Sequence, residues 1–163
     1  MKKIIFIIYM FLFSINIFAK TGVEKQVEKI REEFTKINSE QNYKVETVDG
    51  PGSEMSTEYY RKNRELKKVV VYADATLENY AIQYYFKDDE VFFIYESKNE
   101  YKMKDDGTFD KKSLKKTEKR YYFDDDGTLI RYIENNKIYN KGNIPKKYEK
   151  VAKDNLELLS ELE

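Results

Sequence analysis

Cysteine and histidine are both absent from the 163 residues. Without them the chain cannot run Ser-His-Asp or Cys-His nucleophilic catalysis, thiol redox chemistry or the usual zinc sites. No disulfide can staple the fold, and no lipid can be attached through an N-terminal cysteine. A surplus of one charge is missing too, since 30 basic residues face 30 acidic ones. A chain so balanced, with its signs interspersed, has no general pull toward nucleic acid or anionic lipid, and no nucleic-acid partner is expected. Nor is there a comfortable membrane span. The apolar run Ile4–Ile15 falls short of the ~20 residues a span needs.

That run has the pattern of a secretory signal instead. Lys2 and Lys3 precede it, and Asn16–Ala19 follows as a short exit ending on a small residue. Residues 1–19 are therefore expected to be a signal peptide cut after Ala19, leaving a periplasmic or extracellular protein with no stable span. Removing 19 of 163 residues leaves 144, enough for one ordinary core, so a single domain over 20–163 is expected. Without Lys2 and Lys3, 28 basic residues face 30 acidic ones, a net charge of −2.

What the chain does have is periodicity. Val23, Val27, Ile30, Phe34 and Ile37 recur at steps of four and three, which predicts a helix over about 21–41 with one apolar stripe. Thr21 and Glu24 fit a capping box at its start. Two heptads are short for an independent coiled coil, so the stripe is expected to dock on the protein's own sheet, leaving a monomer rather than a coiled-coil dimer. Tyr43–Val48 alternates as a short edge strand does, and Asp49-Gly50-Pro51-Gly52-Ser53 breaks regular structure. Beyond Pro145, Tyr148, Val151, Asn155, Leu158 and Leu162 share a face that Ala152, Leu156 and Leu159 widen. This predicts a second helix over about 145–162, packed on a sheet.

Between the helices lies a sheet region, about 43–140, organised by three copies of one pattern. Glu58–Ala73, Tyr80–Glu96 and Lys119–Glu134 each hold a Tyr-Tyr pair, a charged turn and an apolar return. Each reads as a β-hairpin, with Asp88-Asp89-Glu90 and Asp124–Gly127 as turns. Ile138–Tyr139 suggests a last short strand. Ser97–Glu118, rich in lysine and aspartate, reads as a long exposed excursion with a small turn at Asp105-Asp106-Gly107. The expected fold class is α+β: an antiparallel sheet of β-hairpins flanked by an N-terminal and a C-terminal helix.

The acidic turns invite a calcium reading that fails on spacing. With Gly127 at the sixth position of a calcium loop, Tyr122 and Ile133 fall at the first and twelfth, where carboxylates are required. No metal or cofactor is expected. A glycosidase would need two carboxyl groups singled out in an apolar pocket. Acidic residues here sit beside lysines or in turns, so a carboxylate-dependent hydrolase of envelope or extracellular polymer stays an alternative and no catalytic residue is named.

The positive signal is aromatic. Adjacent strand residues point to opposite faces, so each Tyr-Tyr pair sends one ring to each side. If Tyr84 and Tyr121 join Phe86 and Phe123 in a core, Tyr85 and Tyr122 form a second row. Tyr60, Tyr85 and Tyr122 are accordingly the candidate binding residues, suited to a saccharide, a peptide or a partner surface. The alternative is that the two helices cover one face each, or that the rings serve cross-strand pairing alone.

Tyr121–Asn140 (YYFDDDGTLIRYIENNKIYN) resembles the tandem-hairpin repeats of the MORN and related antitoxin-type families, where an aromatic pair, an acidic Gly turn and a leucine recur. Tyr84–Glu96 shares the likeness more loosely, with Glu90 where the turn glycine would stand. The pairs are 25 and 37 residues apart (Tyr59 to Tyr84, Tyr84 to Tyr121), whereas true arrays hold one period. The resemblance implies a scaffold or interaction role and brings no catalytic residues. The function expected is a non-enzymatic exported protein binding an envelope partner or ligand through an aromatic sheet face. A self-associating structural component is the further alternative.

Overall fold

Among the described residues, eight strands follow one another in space in the order in which they follow in sequence, every neighbouring pair antiparallel. The computed structural model describes residues 21–50 and 54–160; the expected signal segment lies outside them, as do residues 51–53 of the expected loop. The elements are α1 (Gly22–Ser39), β1 (Lys44–Asp49), β2 (Met55–Lys62), β3 (Glu65–Ala75), β4 (Glu78–Lys87), β5 (Glu90–Met103), β6 (Phe109–Phe123), β7 (Leu129–Glu134), β8 (Lys137–Asn140) and α2 (Lys146–Ser160). The fold is α+β, an antiparallel sheet with a helix from each end of the chain. Among the described residues, no helix is long and apolar enough to cross a membrane.

The doubled tyrosines divide the sheet into its two faces. Val69, Val71, Ile82, Tyr84, Phe86, Ile94, Tyr121, Phe123 and Tyr132 form a core with Ala152 and Leu159 of α2. Tyr85, Phe93, Tyr122, Ile130 and Ile133 form a second core with Val27, Ile30 and Ile37 of α1. Each helix thus covers one face, and the apolar stripe of α1 is spent on the protein's own sheet. Tyr84 anchors α2 by donating from its hydroxyl to the Asn155 backbone carbonyl (3.0 Å), and Tyr148 stacks on Tyr132 at 4.2 Å.

Three hairpins carry the same irregularity. Tyr60 pairs with Lys68 but Arg61 with Leu66, leaving Lys67 extra. Tyr85 pairs with Phe93 but Phe86 with Val91, leaving Phe92 extra. Tyr122 pairs with Arg131 but Phe123 with Leu129, leaving Ile130 extra. Such a bulge breaks the alternation by one residue. Val91 and Leu129 therefore join the α2 side, while Phe92 and Ile130 face α1. Two of these hairpins turn through a pair of non-glycine residues at positive φ, Asn63-Arg64 and Asp88-Asp89, as does the β7–β8 hairpin through Asn135-Asn136. Positive φ at both central residues is what two-residue hairpin turns of the favoured twist require.

The expected excursion at Ser97–Glu118 is instead sheet. β5 runs on to Met103 and β6 starts at Phe109, paired from Ser97↔Glu118 to Glu100↔Lys115 and, past a break that leaves residues 111–114 opposite Tyr101, from Lys102↔Asp110 to Met103↔Phe109. Few apolar residues are needed there because ladder hydrogen bonds and cross-strand charge carry the pairing, with Lys115 3.1 Å from Glu100. Its turn repeats that of the last tyrosine hairpin. Lys104 N–H donates to Thr108 (2.8 Å) and Gly107 N–H to Lys104 (2.9 Å), as Asp124 N–H does to Thr128 (3.0 Å) and Gly127 N–H to Asp124 (2.9 Å).

Candidate functional site

Strand register lines up one continuous transverse row on the α1 face. Tyr60 is opposite Lys68, Lys68 opposite Tyr85, Tyr85 opposite Phe93, Phe93 opposite Tyr122, and Tyr122 opposite Arg131. All three sequence-predicted candidates lie on this row, in unequal surroundings. Tyr85 and Tyr122 are buried beneath α1, 1% and 3% exposed. Their rings flank Phe93 at 5.7 and 4.9 Å, and Phe34 of α1 closes over Tyr85 and Phe93 at 4.9 and 5.2 Å. Tyr60 is half-buried at the far end, edge-on to Tyr43 at 5.9 Å, its hydroxyl donating to Glu58 (2.6 Å). The Lys68 ammonium stands 4.4 Å from the Tyr60 centroid, and burial pulls its pKa below the usual lysine range.

Beside α1 this face opens into a cleft of about 680 Å³. Its floor is Tyr85, Phe93 and Tyr122 with their same-face neighbours Gln83, Tyr95 and Arg120. Those neighbours follow from strand geometry, each two residues from a row member. Its wall is the flank of α1 carrying Arg31, Phe34, Thr35 and Asn38, where steps of three and four return to the same side. The Tyr85 hydroxyl shares its proton between Gln83 Oε1 (2.7 Å) and Asn38 Oδ1 (3.2 Å), tying floor to wall. Burial pushes the Tyr85 phenol up to about 12, so it stays protonated. Among the described residues Glu118 is the one carboxylate lining the cleft; Lys116 (2.6 Å) first, and then Arg120 (2.8 Å), hold it below the usual range.

Both ends of α1 are fixed to the sheet. Thr21 caps it through the Glu24 amide (3.3 Å), but the Glu24 carboxylate, expected to complete a capping box, bonds the buried Arg131 guanidinium instead. Arg131 Nε donates to Asn140 Oδ1 at 2.7 Å. At the other end Tyr43 donates to the Ile37 carbonyl (2.9 Å) and Lys62 pairs with Glu40 (2.5 Å).

The α2 face holds a different polar cluster. Glu96, 5% exposed, accepts from Lys119 Nζ (2.5 Å) and the Tyr121 hydroxyl (2.9 Å). Both its oxygens are engaged, and a buried carboxylate so satisfied reads as part of the packing. The acidic turn is likewise consumed locally. Asp124 accepts from the amides of Thr128 (2.8 Å) and Asp126 (3.2 Å) and pairs with Lys141 at 3.3 Å. Burial opposes ionisation there, but those bonds hold its carboxyl below the usual range. Among the described residues no three acidic side chains are grouped to hold a metal ion.

Of the three tyrosines expected from the sequence, Tyr85 and Tyr122 line the cleft and Tyr60 does not; Arg31, Asn38, Gln83, Tyr95 and Arg120 line it without having been expected. Their signal is faint: same-face spacing from the doubled tyrosines, and one polar flank beside an apolar helix stripe. Compared with protein-family models, with curated proteins and with solved structures, the chain matches none.

Proposed function

We propose that this is an exported, non-enzymatic binding protein whose ligand, or the projecting part of an envelope partner, enters the cleft between α1 and the aromatic row. The observation that carries the reading is the cleft itself. At about 680 Å³ it has a ring-lined floor and polar side chains converging from helix and sheet. Ligand sites have this make-up and run to roughly 300–1,000 Å³. Its rigid frame supports the reading too, because a wall pinned at both ends costs little further ordering on binding. The single lining carboxylate, already doubly paired, favours binding over a two-carboxylate hydrolysis. The tandem hairpins, as the MORN-type likeness implies, serve as scaffold.

The test is two-dimensional NMR of the mature chain against saccharide, peptide and small-acid libraries. Ligands should shift the resonances of Phe34, Tyr85, Tyr95 and Tyr122 and should cease to do so in Thr35→Trp, which fills the cleft from the exposed flank of α1. Hits that map elsewhere, or that survive Thr35→Trp unchanged, would remove the reading. Export is tested by fractionating cells that express the full chain; a mature N-terminus at Lys20 outside the cytoplasm is expected.

A further inference from the structure

The charges around the cleft do not cancel. Glu118 is neutralised by Arg120, and Lys116 pairs with the same carboxylate. Arg31, on the helix wall, has no ion-pair partner among the described residues; its guanidinium stands 5.9 Å from the Tyr122 centroid. Across the cleft the Arg120 guanidinium lies 5.7 Å from the Tyr95 centroid and commits one nitrogen to Glu118. Two guanidinium forks therefore line one aromatic cleft from opposite elements, Arg31 with no ion-pair partner among the described residues and Arg120 with one nitrogen on Glu118. A guanidinium presents five donors in a plane, and two parallel N–H bonds to a carboxylate are its strongest and most directional pairing. The Gln83 side-chain nitrogen adds a neutral donor on the floor, since only its oxygen is taken. No other lining residue supplies negative charge.

Resting on the proposed binding role, we infer that the cleft takes an anion: a carboxylate attached to a flat ring, the carboxylate on Arg31 and Arg120, the ring against Tyr95 along the margin of the buried Tyr85–Phe93–Tyr122 row. The ring fits because Tyr95 and the margin of the buried aromatic row offer apolar surface, and the one carboxylate nearby, Glu118, is already paired. The carboxylate fits because an Arg of the wall and an Arg of the floor reach it from two sides, which fixes orientation as well as sign.

The experiment titrates the mature chain by NMR and calorimetry with four probes: indole-3-acetate and its uncharged amide, and glucuronate and glucose. Indole-3-acetate should bind in the cleft at least tenfold tighter than its amide, and glucuronate, whose ring is puckered, should bind no better than glucose. Arg31→Gln, on the exposed flank, should lower the acid's affinity about tenfold, about 1.4 kcal/mol, and the amide's by much less. Binding of indole-3-acetate with no response to glucuronate supports the flat-ring acid; glucuronate binding as tightly as indole-3-acetate, or alone, overturns it. If acid and amide bind the cleft alike, the charge inference falls and the binding role stands. If no probe moves any cleft resonance while the fold is intact, the inference falls, and the binding role then rests on the library screen alone. If the acids bind away from the cleft, the inference is wrong.

Discussion

Alkali should unfold this protein through its tyrosines. Tyr84, Tyr121 and Tyr132 are 0% exposed and Tyr85 is 1% exposed. Burial, first of all, raises each phenol above its usual value. The Glu96 carboxylate adds to the effect at Tyr84 and Tyr121, and Glu134 at Tyr132. In the unfolded chain each titrates near its ordinary value of about 10. Below that pH both states keep the proton and the contribution to stability is fully present. Above it the unfolded state loses protons that the native state retains, so stability falls, for Tyr85 until about pH 12. The slope is about 1.4 kcal/mol per pH unit for each such phenol, so four remove about 5–6 kcal/mol over one unit. A domain of ordinary stability, ~5–15 kcal/mol, should therefore unfold cooperatively between about pH 10.5 and 12. Near-ultraviolet absorbance of tyrosinate, followed with circular dichroism, reads it. The exposed rings titrate first, and the buried ones in the same step as the loss of sheet. The Tyr132 hydroxyl is buried with no hydrogen-bond partner among the described residues, so Tyr132→Phe should keep or raise stability at neutral pH and move the alkaline midpoint upward. A single gradual titration of all tyrosines near pH 10, with the sheet intact, would refute the two buried rows.

Three further outcomes test the frame. Glu24→Gln strips the charged partner from Arg131, 3% exposed, and because Glu24 itself is partly exposed the loss should be about 1–2 kcal/mol in urea unfolding, with most of it vanishing in an Arg131→Met background. Equal losses in both backgrounds would mean the pair contributes nothing. Arg64→Gly relieves a positive φ of 73° at a long side chain and should raise stability by about 1 kcal/mol, seen as a higher urea midpoint at constant m. Phe34→Ala removes the ring that closes over Tyr85 and Phe93 and should cost about 2–4 kcal/mol, less than a fully buried Phe because the ring is part-exposed.

Alternation made much of this visible beforehand. A Tyr-Tyr pair in a strand must serve two faces, and Tyr84 and Tyr85 do, one meeting α2 and the other α1. Helical spacing likewise marked Val27, Ile30 and Ile37 as the docking stripe. The bulges escaped notice because an inserted residue leaves no compositional trace. Val91, Phe92 and Phe93 read as a strand apolar on both sides, whereas Phe92 is the extra residue that shares a face with Phe93. The outer half of the β5–β6 hairpin escaped for the opposite reason: hydrophobic pattern reports burial, and strands held by backbone bonds and cross-strand lysine–glutamate pairs bury little. The capping-box pattern at Thr21 and Glu24 identified the helix start but not where the Glu24 carboxylate goes, because Arg131 is 107 residues away.

The position of the cleft follows from two lengths. α1 crosses the strands above the first row, its Glu24 end at Arg131 of β7 and its Asn38 end at Tyr85 of β4. Same-face residues on a strand are about 7 Å apart, and a helix with its side chains is about 10–12 Å wide. A helix centred near one row therefore covers it and reaches only part of the way over the next. The first row is Tyr85, Phe93 and Tyr122, and it is buried; the next is Gln83, Tyr95 and Arg120, and it lines the open floor. Uncovered, that second row is free to be polar, and the flank of α1 above it is polar for the same reason. One helix on a sheet wider than itself thus makes an aromatic floor with a charged margin, without any loop to build it. The two arginines stand on that margin, one in β6 and one in α1, held by the anchors that hold the helix. Loosening the Glu24–Arg131 anchor should consequently weaken carboxylate binding although neither residue lines the cleft, whereas a cleft built by its lining residues alone would not notice the change.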